Sequence, residues 1–158
     1  MGPMTFERAV AAPVDQVWAV MTDVERYPER FAGVDAAVLL TGESFGVDTR
    51  WRETRRVYGR SATVEIRVTE AEALRRYVTE AHVGARAVTA FDFTSSLDGA
   101  STSVRVTFQT EGGGLAYRIA EFLNSRRIRR CVIDNNEQDL ADLARACERE
   151  QRQRPIPG

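Results

Sequence analysis

GGGLAYRIAEFLNSRRIRRCVIDNNEQDLADLARACER, residues 112–149, opens on three glycines and then runs for thirty-five residues without another glycine or a proline. Alanine, leucine, arginine and glutamate dominate it, and all four sustain helices. The stretch predicts one helix from Leu115 to about Arg149, ~50 Å long at 1.5 Å per residue. Counting 100° per residue, Leu115, Ile119, Phe122, Ile133, Leu140, Ala144 and Cys147 fall on one stripe, the face expected to be buried. The middle of that stripe carries Arg126, Arg129, Asn136 and Glu137. A buried charge is costly unless paired, so two readings stand side by side. In one, the centre of the helix faces a cavity that holds ligand or water. In the other, a bend near Asn124-Ser125 turns the later residues outward and leaves a basic patch in solvent. The cluster Arg126, Arg127, Arg129 and Arg130 then forms a solvated face, or meets lipid headgroups or an acyl-carrier protein.

Upstream of the glycines the period changes from helical to two. Val104, Val106 and Phe108 alternate, as do Phe91 and Phe93, and Val64, Ile66 and Val68. Asp98-Gly99 and Tyr58-Gly59 mark tight turns between such runs. With Leu74–Val83, Val47–Val57, Ala37–Leu40 and an opening strand Met4–Val10, the count is seven. Short connections imply an antiparallel meander. Between the first and second strands, Val14, Val17, Trp18 and Met21 fall at helical spacing after Pro13, and Val24, Tyr27, Phe31 and Val34 mark a second short helix. Residues 1–150 read as one domain. Residues 151–158, with Pro155 and Pro157, read as a frayed tail.

Composition excludes several function classes. The chain has 158 residues and a net charge of −1, which lacks the basic surplus that a nucleic-acid binder needs. No apolar run approaches the ~18 residues of a membrane span. Met1–Val10 lacks a basic segment followed by an apolar one, so no secretion signal is expected. All 22 basic residues are arginine, which rules out a Schiff-base or phosphate-loop lysine. Cys131 and Cys147 lie sixteen residues apart on the predicted helix, ~24 Å at 1.5 Å per residue, too far for a disulfide. Free thiols fit a reducing, cytoplasmic compartment. With one histidine, His82, and no Cys/His cluster, neither a metal site nor a cofactor is expected.

The order of strand, two short helices, six strands and long C-terminal helix resembles the helix-grip fold of the START/SRPBCC superfamily. Ala11-Ala12-Pro13-Val14-Asp15-Gln16-Val17-Trp18 is similar to its opening A-P-x-x-x-V-W, and Asp23-Val24-Glu25-Arg26-Tyr27-Pro28 to its D-x-x-x-Y/W-P. Gly46–Glu53, Val68-Thr69-Glu70 and the final helix extend the likeness over nearly the whole chain. The look is nearest to the polyketide cyclase/dehydrase branch. The resemblance implies an α+β fold: a seven-stranded curved antiparallel sheet, two short helices and one long C-terminal helix around a cavity for an apolar molecule, polyketide-like or lipid-like. It implies either a cofactor-free cyclase or dehydratase, or a non-catalytic binding, transport or self-resistance protein that sequesters its ligand. The branch's aromatases carry an inward arginine on the strand after the third. Arg67, the candidate here, shares a face with Glu65 and is expected to point to solvent.

Candidate site residues follow from the strand periods. In the third strand Arg50, Arg52 and Arg56 share one face, which must be solvent, so Trp51, Glu53 and Arg55 turn inward. Glu53 and Arg55 then form either a pair that orients a ligand, with Glu53 as an acid/base group, or a structural ion pair. His82 is the other acid/base candidate, with an ordinary pKa near neutrality, against the alternative of simple exposure. Tyr27 and Phe31 sit where the family closes its pocket mouth, or else simply pack in the core, and Phe91 and Phe93 are wall or core. Phe122, Arg126 and Asn136 complete the candidate ligand-binding set from the long helix.

Overall fold

Alternating side chains build seven strands: β1 (Met4–Val10), β2 (Val34–Leu39), β3 (Arg50–Val57), β4 (Arg60–Glu72), β5 (Arg76–His82), β6 (Arg86–Ser95) and β7 (Thr102–Glu111). The helices are α1 (Val14–Thr22), α2 (Tyr27–Arg30), entered through a 3-10 turn at Val24–Arg26, and α3 (Leu115–Gln153). The computed structural model describes residues 2–42 and 44–154. Every strand pair is antiparallel, in the order β1-β7-β6-β5-β4-β3-β2. This is the α+β helix-grip arrangement implied by the sequence. Register shifts between Val34 and Ala36 and between Val68 and Glu70 interrupt the ladder, the kind of irregularity that bends a strand.

The turns of the meander alternate between two ends of the sheet, and the two ends are filled differently. At the end with the β4–β5 and β6–β7 turns, α1, α2 and the second half of α3 cover the inner face. Val10, Val17, Val20, Val68, Tyr77, Val104 and Leu143 are almost wholly buried there, each aliphatic side chain contributing about 1.5–3 kcal/mol. Gln16 at α1 donates to the Cys147 carbonyl at 3.0 Å, and Thr102 to that of Ala12 at 2.9 Å. Arg30 reaches Glu150 at 2.8 Å, which anchors the last turns of α3 and carries the helix on to Gln153. The remainder of the expected tail, 155–158, lies outside the described residues.

At the other end stand the β3–β4 turn, the β5–β6 turn and the exit from β7. The first half of α3 runs along this end. Its ring contact is Tyr117, seated on two glycines: a Cβ on Gly84 or on Gly113 would lie 2.6 Å from a Tyr117 ring carbon. Both glycines also have positive φ, 85° and 101°, a region costly for other residues. Further along, the Arg127 guanidinium lies 4.7 Å over the Tyr58 ring at the β3–β4 turn. Gly113→Ala is therefore expected to unseat Tyr117 and speed amide exchange across 115–123 while leaving α1 and the second half of α3 protected. Unchanged exchange there would mean that the helix start is held by something else.

The single buried stripe expected along α3 is corrected by the structure. Asn124 leaves helical geometry (φ −115°, ψ 15°), and before it Leu115, Ile119 and Phe122 are exposed. After it Arg126, Arg127, Arg129 and Arg130 are exposed too. Only Leu140, Ala144 and Cys147 of the stripe reach the core. The reason is that the first half of α3 meets hairpin turns, not a packed layer, so no surface covers its outer side.

Candidate functional site

The third strand folds as its alternation dictates. Trp51 and Glu53 are buried, and Arg50, Arg52 and Arg56 face the other way and are exposed. Pairing with β4 places Ile66 across from Trp51 and Val64 across from Glu53. Trp51 Nε1 donates to Glu53 Oε2 at 3.0 Å, and Arg55 Nε donates to Glu53 Oε1 at 2.5 Å. Arg55 Nη2 then donates to Asp139 Oδ2 at 2.7 Å, which ties β3 to α3. One guanidinium thus bridges two carboxylates. The side chains of Arg55 and Asp139 are 25% and 28% exposed, so the bridge is sheltered but reachable. Asp139 Oδ1 is buried without a hydrogen-bond partner among the described residues. Burial pushes the Asp139 carboxyl up, and Arg55 opposes that rise. Burial also disfavours the Arg55 cation, yet Asp139 and Glu53 together hold it above its ordinary value.

Beside this cluster stands a wall of aromatic rings. Tyr27 makes edge contacts with Phe31 (5.2 Å) and Trp51 (6.2 Å). Tyr77 stacks on Phe91 at 4.5 Å and packs against Phe93 and Trp18. The Tyr27 hydroxyl donates to the Met21 carbonyl at 2.5 Å. Burial, followed by the nearby charge of Glu53, raises the Tyr27 phenol, and burial raises Tyr77 likewise. Both phenols stay neutral throughout the physiological range.

Beyond the wall, toward the end crossed by the first half of α3, the inner face opens. Val64, Ile66, Thr89, Phe91, Phe108 and Thr110 are only half-buried and Ala62 is exposed. On the helix, Ile128, Val132 and Asn136 are half-buried, with the Asn136 amide donating back to the Val132 carbonyl at 2.8 Å. The remaining candidates lie apart. His82 is exposed at the end of β5, and Phe122 and Arg126 are exposed on α3. Arg67 points outward, paired with Glu80 and Asp48. Two hollows, of about 380 Å³ along α3 by Phe122 and Arg129 and of about 500 Å³ among Val14 of α1, the β4–β5 turn and Phe93, lie away from this half-covered part of the inner face.

Asp139 and Tyr77 are the members of this constellation that sequence reasoning missed. Asp139 sits three residues beyond Asn136 and next to the apolar Leu140, a position from which an acid is easily buried. Tyr77 alternates within a run that also holds Arg76, Thr79 and Glu80, so its inward face carried little apolar signal.

The family model described as "Polyketide cyclase / dehydrase and lipid transport" matches residues 1–148. The chain belongs to that family. No curated protein matches the sequence. Among solved structures, the Zhui aromatase/cyclase from Streptomyces sp. R1128 superposes with a TM-score of 0.79 at 22% identity, covering 99% of this chain and 98% of that one. A START superfamily protein from Mycobacterium smegmatis gives 0.74 at 16% identity, over 93% and 97%. A protein from Thermus thermophilus gives 0.75 at 21% identity, over 91% and 95%. At these identities the likeness is one of fold, and folds of this kind host many chemistries.

The two thiols of this family member are set apart by burial. Cys147 is wholly buried, which pushes its thiol up to about 12. Cys131 is half-buried beside Asn135. A thiol is reactive as its anion, so maleimide at pH 8 should label one cysteine per native chain and both after denaturation. Two labels on the native chain would show that the second half of α3 opens.

Proposed function

We propose that the chain binds an apolar small molecule of polyketide or lipid type on the half-covered part of the inner face, beneath the first half of α3. The supporting observation is the contrast along one face of one sheet: Val68, Tyr77, Phe93 and Val104 are buried at one end, whereas Val64, Thr89 and Phe108 are half-buried at the other. Apolar side chains left half-covered on a concave surface are what an apolar ligand completes. Tyr27, Phe31, Trp51 and Phe91 would form the aromatic floor. The Glu53–Arg55–Asp139 bridge would give the polar end that orients a carbonyl or hydroxyl. Family membership agrees with this class of ligand.

A catalytic reading, cofactor-free cyclisation or dehydration, is favoured by one observation. Arg55 holds one oxygen of Asp139 while the other, buried, has no partner among the described residues, so Asp139 is the carboxyl of the bridge with an oxygen left to take a proton. Both oxygens of Glu53 are already engaged by Trp51 and Arg55, and His82 is exposed. The test is titration with aromatic polyketides and fatty acids, followed by product analysis. Saturable binding that quenches Trp51 in a Trp18→Phe background, and is lost in Phe108→Arg, is expected. Turnover abolished by Asp139→Asn with binding kept would establish catalysis. Shifts confined to the outer face of the sheet, or no binding by either class, would overturn the proposal.

A further inference from the structure

Four large apolar side chains stand in solvent within nine residues of α3: Leu115 (75% exposed), Ile119 (51%), Phe122 (82%) and Leu123 (73%). Elsewhere such exposed residues form no comparable group: Val38 and Leu40 lie at the edge strand β2, and Val47, Leu74 and Leu97 stand singly on loops and turns. Single exposed apolar groups need no explanation, but a contiguous patch does. The next turns of the same helix half carry the opposite chemistry. The segment 115–130 holds five arginines against one glutamate, in a chain whose net charge is −1. Arg50, Arg67, Arg76, Arg86 and Arg105 on the outer face of the sheet each bridge a carboxylate. No carboxylate lies within ion-pair reach of Arg118, Arg126, Arg129 or Arg130 among the described residues, all four being exposed.

We infer that the first half of α3 is a docking surface for an anionic membrane. An amphipathic helix whose apolar side chains reach the acyl boundary while guanidinia meet phosphate is held by both terms together. Charge selects the occupant: unpaired guanidinia beside the apolar patch require an anionic surface that is also apolar a few ångströms deeper. This half of α3 rests on hairpin turns, held there by Tyr117 and Arg127. Val83 and Tyr58, 44% and 43% exposed on the β5–β6 and β3–β4 turns, extend the apolar surface at the same end. None of the described helices is long and apolar enough to cross a membrane, so the contact is peripheral. The inference stands independently of the ligand-binding proposal.

The test is flotation of the full chain with vesicles of phosphatidylcholine alone and with about one-third phosphatidylglycerol. Binding to the anionic vesicles, weakened by salt and by removing the anionic lipid, is expected. Arg126→Gln with Arg129→Gln should lower partitioning about 25-fold, from about fivefold per charge at an anionic surface. Phe122→Ser with Leu123→Ser should lower it at least about tenfold. Arg52→Gln, an exposed arginine on the outer sheet face, should change nothing. Circular dichroism and melting of each variant check that it folds, and the wild-type comparison of the two vesicle types decides the matter even if one variant does not. Equal binding to both vesicle types, no binding to either, or anionic binding untouched by both pairs of substitutions would overturn the inference. So would capture by polyglutamate without vesicle binding, or self-association abolished by Phe122→Ser without vesicle binding.

Discussion

Arg55→Met is expected to destabilise the fold by about 3–5 kcal/mol, the usual cost of leaving buried charge without its partner. For a chain of this size that is roughly a 10 °C drop in melting temperature, at about 2–4 °C per kcal/mol. Among the described residues the guanidinium is the only cation bonded to both Glu53 and Asp139, and methionine fills its stem without replacing its charge. The deficit should depend on pH, with a definite sign. Without Arg55, burial leaves the Asp139 carboxyl in the folded state holding its proton more tightly than in the unfolded chain, where it titrates near about 4. The folded state then binds more protons than the unfolded state above that pH, so stability falls as pH rises. Chemical denaturation should therefore show a larger deficit at pH 8 than at pH 5. The triple variant Arg55→Met, Glu53→Gln, Asp139→Asn should recover most of the loss, because it removes the buried charges together. A pH-independent deficit of under about 1 kcal/mol would show the bridge to be solvated, as surface ion pairs are.

Tyr77→Ala is expected to cost about 3–5 kcal/mol, the range for deleting a fully buried aromatic ring. The ring is 1% exposed and lies between Phe91, Phe93, Phe45 and Trp18, so its removal leaves a void bounded by rigid groups that cannot collapse into it. Tyr77→Phe separates ring from hydroxyl. It keeps the stacking and removes only a buried hydroxyl, so about 1 kcal/mol is expected. Comparable losses for the two variants in equilibrium denaturation would place the stabilisation in the hydroxyl and not in the packed ring.

These two positions also show how far the site was legible in advance. The inward turn of Trp51, Glu53 and Arg55 follows from strand alternation alone, because three arginines on the opposite face leave no other arrangement. The partner on α3 does not follow. Glu53 could be placed facing inward without any indication that Trp51 and Arg55 would occupy both its oxygens, or that Asp139 would take the far side of the guanidinium. Those contacts depend on where the helix crosses β3, a distance that no local period encodes. For the same reason His82 was a chemically reasonable acid/base candidate by residue type, while its exposed position depends on the length of β5 and the turn that follows.

Strand count, antiparallel order, the two short helices and the uninterrupted helical stretch were determined by the sequence itself. Each rests on interactions between residues a few positions apart: periods of two and 3.6, turn residues at Tyr58-Gly59 and Asp98-Gly99, and the absence of proline and glycine between Leu115 and Arg149. What lay on each side of α3 was decided only by tertiary structure. A helical stripe says which residues share a face but not whether anything lies opposite. Leu140, Ala144 and Cys147 meet α1 and the sheet and are buried, whereas Leu115, Ile119 and Phe122 meet solvent, since the kink at Asn124 and the seat of Tyr117 on Gly84 and Gly113 carry the first half of the helix along the rim of the sheet and not into its core.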